Sequence, residues 1–397
     1  MKKLLYLLLI PVLVLSCTGT SGEIEPANVT LTVHTPQITV YGDAVPSEIL
    51  FTCNGSWTVS SDNDWITFPV TSGKGSEQQQ AISFVPGDNT SGAERVGLIE
   101  IVAKDCYEMI MVTQVPASAN SISNFFKKVV ADEFSKVYYC AHRANSWVGS
   151  YELCLPENSI PAIEECIKAG IEMVEIDVRK TKDGYLVCCH DGNINSVTNG
   201  SGNVADLTYA QIKSYDMKSR KKGVVFPGVK MPTLEEALLA CKDKIWVNLD
   251  LSKTTISPSE IVNVLKKTGM LDQVTCYTGS DVDLGKTYYS VSDRLSIHLS
   301  ISASGGVGSI SGTKTVPLFQ ISTSKYWNGT EASTSLSEAI RRQNHCSFSN
   351  LLDYDSKVIN GNLDALKAFR GARIDFLQTD VAGHPNVENY LKSEGLR

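Results

Sequence analysis

No dense block of lysine and arginine occurs in this 397-residue chain, and its 36 basic residues are outnumbered by 43 acidic ones. That balance excludes the electrostatic footprint of nucleic-acid binding and of a polybasic membrane patch. Cysteine is present, eleven times, but never as a C-x-x-C pair or at regular spacing, so a zinc signature is absent. Histidine is scarce, with six in the chain. Beyond the N-terminus no stretch stays apolar for the ~20 residues that a membrane helix needs. A Gly-rich phosphate loop after a first strand, expected of an open doubly wound sheet, is missing too.

What is there begins with "MKKLLYLLLIPVLVLSC": two lysines, a short apolar run, then Ser16 before Cys17. Residues 1–16 read as an export signal rather than a fold element. Val14-Leu15-Ser16-Cys17 resembles a bacterial lipobox, which implies that Cys17 becomes an acylated first residue. The alternative is an ordinary signal peptide that ends near a cysteine. With lipidation, residues 17–27 would tether an exported body to the cell envelope, and Cys17 would be its membrane contact. The other cysteines sit apart; Cys140, Cys188 and Cys276 fall in apolar strand-like runs that suit small buried thiols. Cys188 and Cys189 are adjacent to His190, but neighbours on a strand point to opposite faces.

The length exceeds the ~100–200 residues of one domain, and the texture changes along the chain. From 28 to 117, short alternating runs such as "VTLTVHT", "WTVSS", "AISFVP" and "VGLIEIVA" are separated by Gly, Asn, Asp, Ser and Pro. They predict an all-β sandwich. The stretch "NGSWTVSSDNDWITFPVTSGKGSE", Asn89, "ERVGLIEI" and "MVTQVP", carrying Trp57, Trp65, Gly73, Arg95, Gly97 and Gln114, resembles the BACON domain, an immunoglobulin-like module of exported gut-bacterial proteins. The resemblance implies a glycan or mucin partner; Trp57 and Trp65 serve equally as core anchors, and this half equally as a spacer.

Residues 118–131 read as a Ser/Asn/Ala linker passing into a helical pattern with Phe125 and Val129. From 132 to 397, apolar runs "KVYYCAH", "MVEIDV", "IWVNLDL", "QVTCYTG", "LSIHLSI", "PLFQIS", "CSFSNLL" and "DFLQTD" alternate with helix-like stretches such as "TLEEALLACK". Eight buried-type strands alternating with helices predict a (β/α)8 TIM barrel.

In such a barrel the active site is built at the C-terminal strand ends. Polar residues recur there: His142-Arg143 on the first strand, Glu175 and Asp177 on the second, Asn248 and Asp250 on the third, Gln378-Thr379-Asp380 on the last. Residues two apart on a strand share a face, so Glu175 and Asp177 point together. Partly buried like charges demand protonation, a basic partner or a cation. Three oxygen donors with no cysteine or histidine cluster suit one hard divalent ion, Ca2+ or Mg2+. The competing reading pairs Glu175 and Asp177 with Arg143. His142 and His190 flank the carboxylates and would divide proton transfers between nucleophile and leaving group.

These residues, with "AHR", "PENS", "EIDVRKTKDG", "CCHDGNINSVTNGSG", "MPTLEEAL" and "IDFLQTD", resemble the glycerophosphodiester phosphodiesterases from about residue 136 onward. The resemblance implies His142 and His190 as the acid/base pair and Glu175, Asp177 and Asp250 as metal ligands. It also implies Arg143, Glu157, Asn158 and Lys253 at the substrate, and a glycerophosphodiester hydrolysed to glycerol phosphate and an alcohol. Two departures lie on the third strand, where the family's Glu-x-Lys is replaced by "DLSK": Asp250 stands for the glutamate and Ser252 where the lysine belongs. Lys253 reaches the site only if the strand has ended or bulged. The family's late aromatic is matched at best by Phe348, and the insertion "ANSWVGSYELCL" offers Trp147 and Tyr151 as pocket contacts. Other readings are a surface glycan-binding lipoprotein with a weak or inactive barrel, or a phosphodiesterase for phosphoinositide-type or lysophospholipid substrates.

Overall fold

The computed structural model describes residues 26–41, 46–89, 91–116, 121–310 and 312–397. The signal peptide, Cys17 and most of the tether, and the Ser/Asn/Ala stretch of the linker, lie outside the described residues.

Among the described residues the first unit has nine strands: β1 Leu31–Val33, β2 Gln37–Tyr41, β3 Ser47–Cys53, β4 Trp57–Ser60, β5 Ile66–Thr67, β6 Ser72–Gly73, β7 Ser76–Pro86, β8 Arg95–Ala103 and β9 Cys106–Val115. They form a four-stranded sheet, β1-β3-β7-β5, and a five-stranded one, β2-β9-β8-β4-β6. The two-residue strand period decides what is buried: along β8, Ile99 and Ile101 enter the core while Val96 and Leu98 face out. Trp57 is a core residue, edge-on to Phe51 at 5.3 Å. Gly73 is required beneath it, since a Cβ there would lie 2.3 Å from the indole. Trp65 is only partly buried and carries the Arg95 guanidinium 4.4 Å above its ring. Both tryptophans therefore serve packing.

Nine further strands follow: β10 Tyr138–Ala141, β11 Met173–Lys180, β12 Leu186–Cys188, β13 Trp246–Asp250, β14 Val274–Tyr277, β15 Ser296–Ile301, β16 Leu318–Ile321, β17 Cys346–Asn350 and β18 Phe376–Thr379. All but β12 are parallel, and the pairing of β10 with both β18 and β11 closes an eight-stranded barrel. Each of the eight coincides with one of the apolar runs. Strand β12 pairs antiparallel with β11. After it an excursion folds over its own small core of Ile194, Val197, Val204, Ile212 and Met217.

Residues 122–131, read as the end of the linker, form a helix capped by Ser121, and it belongs to the barrel. Its Ile122, Phe126 and Val129 pack with Tyr138, Phe348 and Phe376, where apolar burial outweighs the polar start of the segment. The ten described cysteines are all free, and Cys140, Cys188 and Cys276 are buried.

Candidate active site

Register brings the charged residues together. Glu175 stands beside Asn248 and Asp177 beside Asp250 across β11 and β13, so three carboxylates crowd one rim. One oxygen from each of Glu175, Asp177 and Asp250 lies within 4.8 Å of the others. Burial pushes the Glu175 carboxyl well above its usual range, and the charges of Asp177 and Asp250 push the same way. The Arg143 backbone N–H, which donates to Glu175 at 2.8 Å, opposes this only in part. Burial also raises Asp177, against a 2.9 Å hydrogen bond from the Asn158 amide.

Such a cluster lacks positive charge. Arg143 comes no nearer than 3.7 Å to Asp177, and its Nη1 is turned to Glu157 at 3.2 Å. The donor set, all oxygen and largely buried, fits one hard divalent cation. Arg143 Nε is buried without an acceptor among the described residues, which suits an anionic oxygen entering beside the cradle.

The carboxylates open into a cavity of about 280 Å3 that His142, Arg143, His190, Asp250 and Lys253 also line. His142 follows β10 directly. Arg143 and Ala144 beside it adopt left-handed φ of 54° and 57°, and Asn158 does so at 56°, a concentration of backbone strain that suits a functional site. Glu157 and Asn158 do not line the cavity but stand behind it. Asn158 exchanges two hydrogen bonds with Asp177, and Glu157 receives Arg143 and both prongs of Arg220.

Strand β13 ends at Asp250, so Lys253 is released from strand alternation into a turn and faces the cavity. Its carbonyl accepts from Arg179 at 2.7 Å. Ser252 instead serves Asp250, donating from its backbone N–H at 2.9 Å and its hydroxyl at 2.6 Å. Phe348 is fully buried against His298 and Phe376; Asn350 and Leu352 line the cavity in its place. Trp147 packs edge-on to His384 at 4.2 Å, away from the cavity, and the Tyr151 side chain lies outside what is described.

Each histidine has a carboxylate partner. His142 Nδ1 meets Asp380 Oδ1 at 2.8 Å, and His190 Nδ1 meets Asp191 Oδ1 at 2.7 Å. Burial works against the Asp380 charge, but the hydrogen bond and charge of His142, with Lys221, hold its carboxyl well below the usual range. At Asp191 burial is likewise outweighed, by hydrogen bonds from His190, Ser196 and Arg220. The "HD" pair hinted at the second contact. For the first, which spans 238 positions, the sequence placed Asp380 at the end of the last strand and His142 at the end of the first but did not pair them.

Fold and site together define a (β/α)8 barrel with a carboxylate cradle and two histidines at the C-terminal strand ends. The family model "Glycerophosphoryl diester phosphodiesterase family" matches residues 142–344, and the chain belongs to that family. A second model, "BACON: Putative binding domain, N-terminal", matches residues 55–115. Among curated relatives, a glycerophosphodiester phosphodiesterase of Caldanaerobacter subterraneus is 38% identical over 117 residues, 29% of this chain and 45% of that one. Another, from Bacillus subtilis, is 35% identical over 135 residues, 32% of this chain and 41% of that one. The matched segment thus spans less than half the length of either relative. A solved glycerophosphoryl diester phosphodiesterase of Parabacteroides distasonis shares the fold, with a TM-score of 0.56 at 17% identity over 68% of this chain and 92% of that one.

Proposed function

We propose that the barrel hydrolyses glycerophosphodiesters to glycerol phosphate and an alcohol, with one Ca2+ or Mg2+ held by Glu175, Asp177 and Asp250. The observation that carries this reading is the convergence on one cavity of that cradle and two imidazoles, each with its Nδ1 on a carboxylate. A carboxylate at Nδ1 leaves Nε2 for the reacting atoms and stabilises the imidazolium that forms when Nε2 takes a proton. When bound, the cation offsets negative charge on the phosphoryl oxygens. Arg143 Nε donates to one of those oxygens, and Lys253 supplies a second positive charge at the mouth. One of His142 and His190 takes the proton of the attacking oxygen, that of water or of a substrate hydroxyl whose cyclic phosphate water then opens, and the other gives one to the departing alcohol. Asn158 and Glu157 hold Asp177 and Arg143 in place.

The sandwich, read as immunoglobulin-like, would act as a spacer or a binding module on a chain tethered through Cys17. Its support is the order of segments: an export-type N-terminus, a β unit, then the barrel.

Two kinds of substitution separate the roles. Asp177→Asn keeps the side-chain shape and removes its charge, so calorimetry should show divalent-ion binding strongly weakened and turnover falling with it. His142→Ala or His190→Ala should leave ion binding near the parent's while turnover drops about 10²–10⁴-fold. Parental ion affinity in Asp177→Asn, or parental turnover in either histidine variant, would refute the assignment.

A further inference from the structure

Arg220 and Lys221 are neighbours in the sequence, and between them they reach the carboxylate partners of both histidines. They sit on a narrow loop of the excursion after β12, held where Met217 N–H donates to the Val229 carbonyl at 2.7 Å and Ser219 N–H to the Val224 carbonyl at 2.8 Å. Lys221 Nζ donates to Asp380 Oδ2 at 3.1 Å, while the other oxygen of that carboxylate is on His142. Arg220 Nη1 donates to Asp191 Oδ2 at 3.0 Å, while the other oxygen there is on His190. Two parallel chains result, Lys221–Asp380–His142 and Arg220–Asp191–His190. Neither cation lines the cavity.

Both carboxylates are thereby held at both oxygens. Ser196 also donates to Asp191 Oδ2 at 2.8 Å and Asn145 to Asp380 Oδ1 at 3.2 Å, and to these neutral contacts each cation adds a charge-assisted hold on the oxygen that faces away from the imidazole, restricting rotation about Cβ–Cγ. What the aspartate fixes is the Nδ1–H and the ring orientation, so that Nε2 faces the reacting atoms with a lone pair in the base and a proton in the acid. Arg220 does more than Lys221. Its Nε and Nη2 grip both oxygens of Glu157 at 2.8 Å, and Glu157 in turn holds Arg143. One loop therefore touches the supports of both proton carriers and of the phosphate-facing arginine.

We propose that Arg220 and Lys221 are positioning residues for the reaction, acting through Asp191 and Asp380, so that this single loop sets His142 and His190 together. The proposal rests on the reading of those histidines as the proton carriers. It predicts an asymmetry between the two cations. Lys221 reaches the support of one proton carrier through Asp380, whereas Arg220 reaches the support of the other through Asp191 and that of Arg143 through Glu157.

The test uses the full chain, loaded with Ca2+ or Mg2+, and four variants. Lys221→Met should lower kcat by about 10–100-fold, the usual cost of losing an outer partner of a functional imidazole, and leave KM near the parent's. Lys221→Arg should recover most of that loss, because it keeps a cation on Asp380. Arg220→Met should lower kcat and also raise KM. Arg220→Lys should stay impaired, since one ammonium cannot reproduce the two-pronged grip on Glu157. Chain labelled with ¹⁵N-histidine supplies a readout independent of turnover, with six histidines to resolve and His142→Gln to assign the signal. The parent should show His142 held with its proton on Nδ1 whenever the ring is neutral, and Lys221→Met a mixture of Nδ1–H and Nε2–H rings above the pH at which the imidazolium is lost. A Lys221→Met protein with the parental kcat, or a loss that Lys221→Arg does not repair, overturns the proposal. If the parent turns over no glycerophosphodiester, the functional reading fails by itself. The tautomer then decides the positioning role, and an unchanged His142 signal in Lys221→Met rejects it.

Discussion

Asp355 is a carboxylate taken out of water at the edge of the site, accepting from the Thr379 hydroxyl and, at 2.9 Å, from the Asp380 backbone N–H. Burial raises its pKa from 3.8 to about 7, more than those two donors lower it. The native state thus keeps a proton there that the unfolded chain has already lost. Stability contributed this way is greatest below about pH 4 and declines as pH rises towards 7. Asp375, raised by burial to about 6 despite its ion pair with Arg341, adds a similar decline that ends sooner. Asp355→Asn cannot titrate, so its unfolding free energy should fall less than the parent's between pH 5 and pH 8. Denaturant titrations at both values measure this, and equal slopes would contradict it. None of this is visible in "NLLDYDSK", because burial of one aspartate among several is a tertiary fact. The same limit hid the pairing of Asp380 with His142, although both stood among the strand-end residues, whereas Glu175 and Asp177 could be read from the strand period alone.

Among elements, the barrel strands were the most legible. Each is a short apolar run bounded by polar residues, and a parallel strand covered on both faces leaves that pattern whatever its neighbours. Their C-terminal ends then named the cavity residues without coordinates. Elements that depend on partners were harder. Strands β2 and β3, Gln37–Tyr41 and Ser47–Cys53, were absent from the alternating runs, although Ile49, Phe51 and Cys53 are all buried in the core of the β unit. Their apolar positions are interleaved with polar ones, and pairing fixes them, of β2 with β9 and of β3 with β1 and β7. The helix at 122–131 was legible as a helical pattern but grouped with the linker, because its polar start matched the segment before it. Likewise the loop carrying Arg220 and Lys221 offered "SRKKG", a charge run that in isolation reads as a solvated turn. Its placement over both histidines follows from the small core of the excursion, not from its own composition.

At the scale of the whole molecule, the chain joins a β unit to a barrel that holds every residue of the proposed chemistry. The N-terminal expectation is testable separately. Cells expressing the chain and fed a fatty-acid probe should label the parent and not Cys17→Ala; equal labelling would reject the anchor and leave the barrel chemistry untouched. The central claim is that the carboxylate cradle and the two histidines make the barrel a divalent-cation-dependent phosphodiesterase. The most direct measurement follows a soluble glycerophosphodiester by ³¹P NMR with the purified full chain, first with Ca2+ or Mg2+, then after chelation, then after the ion is restored. Glycerol phosphate should form, stop forming, and form again. No product with either ion, or turnover that persists through exhaustive chelation, would contradict the account.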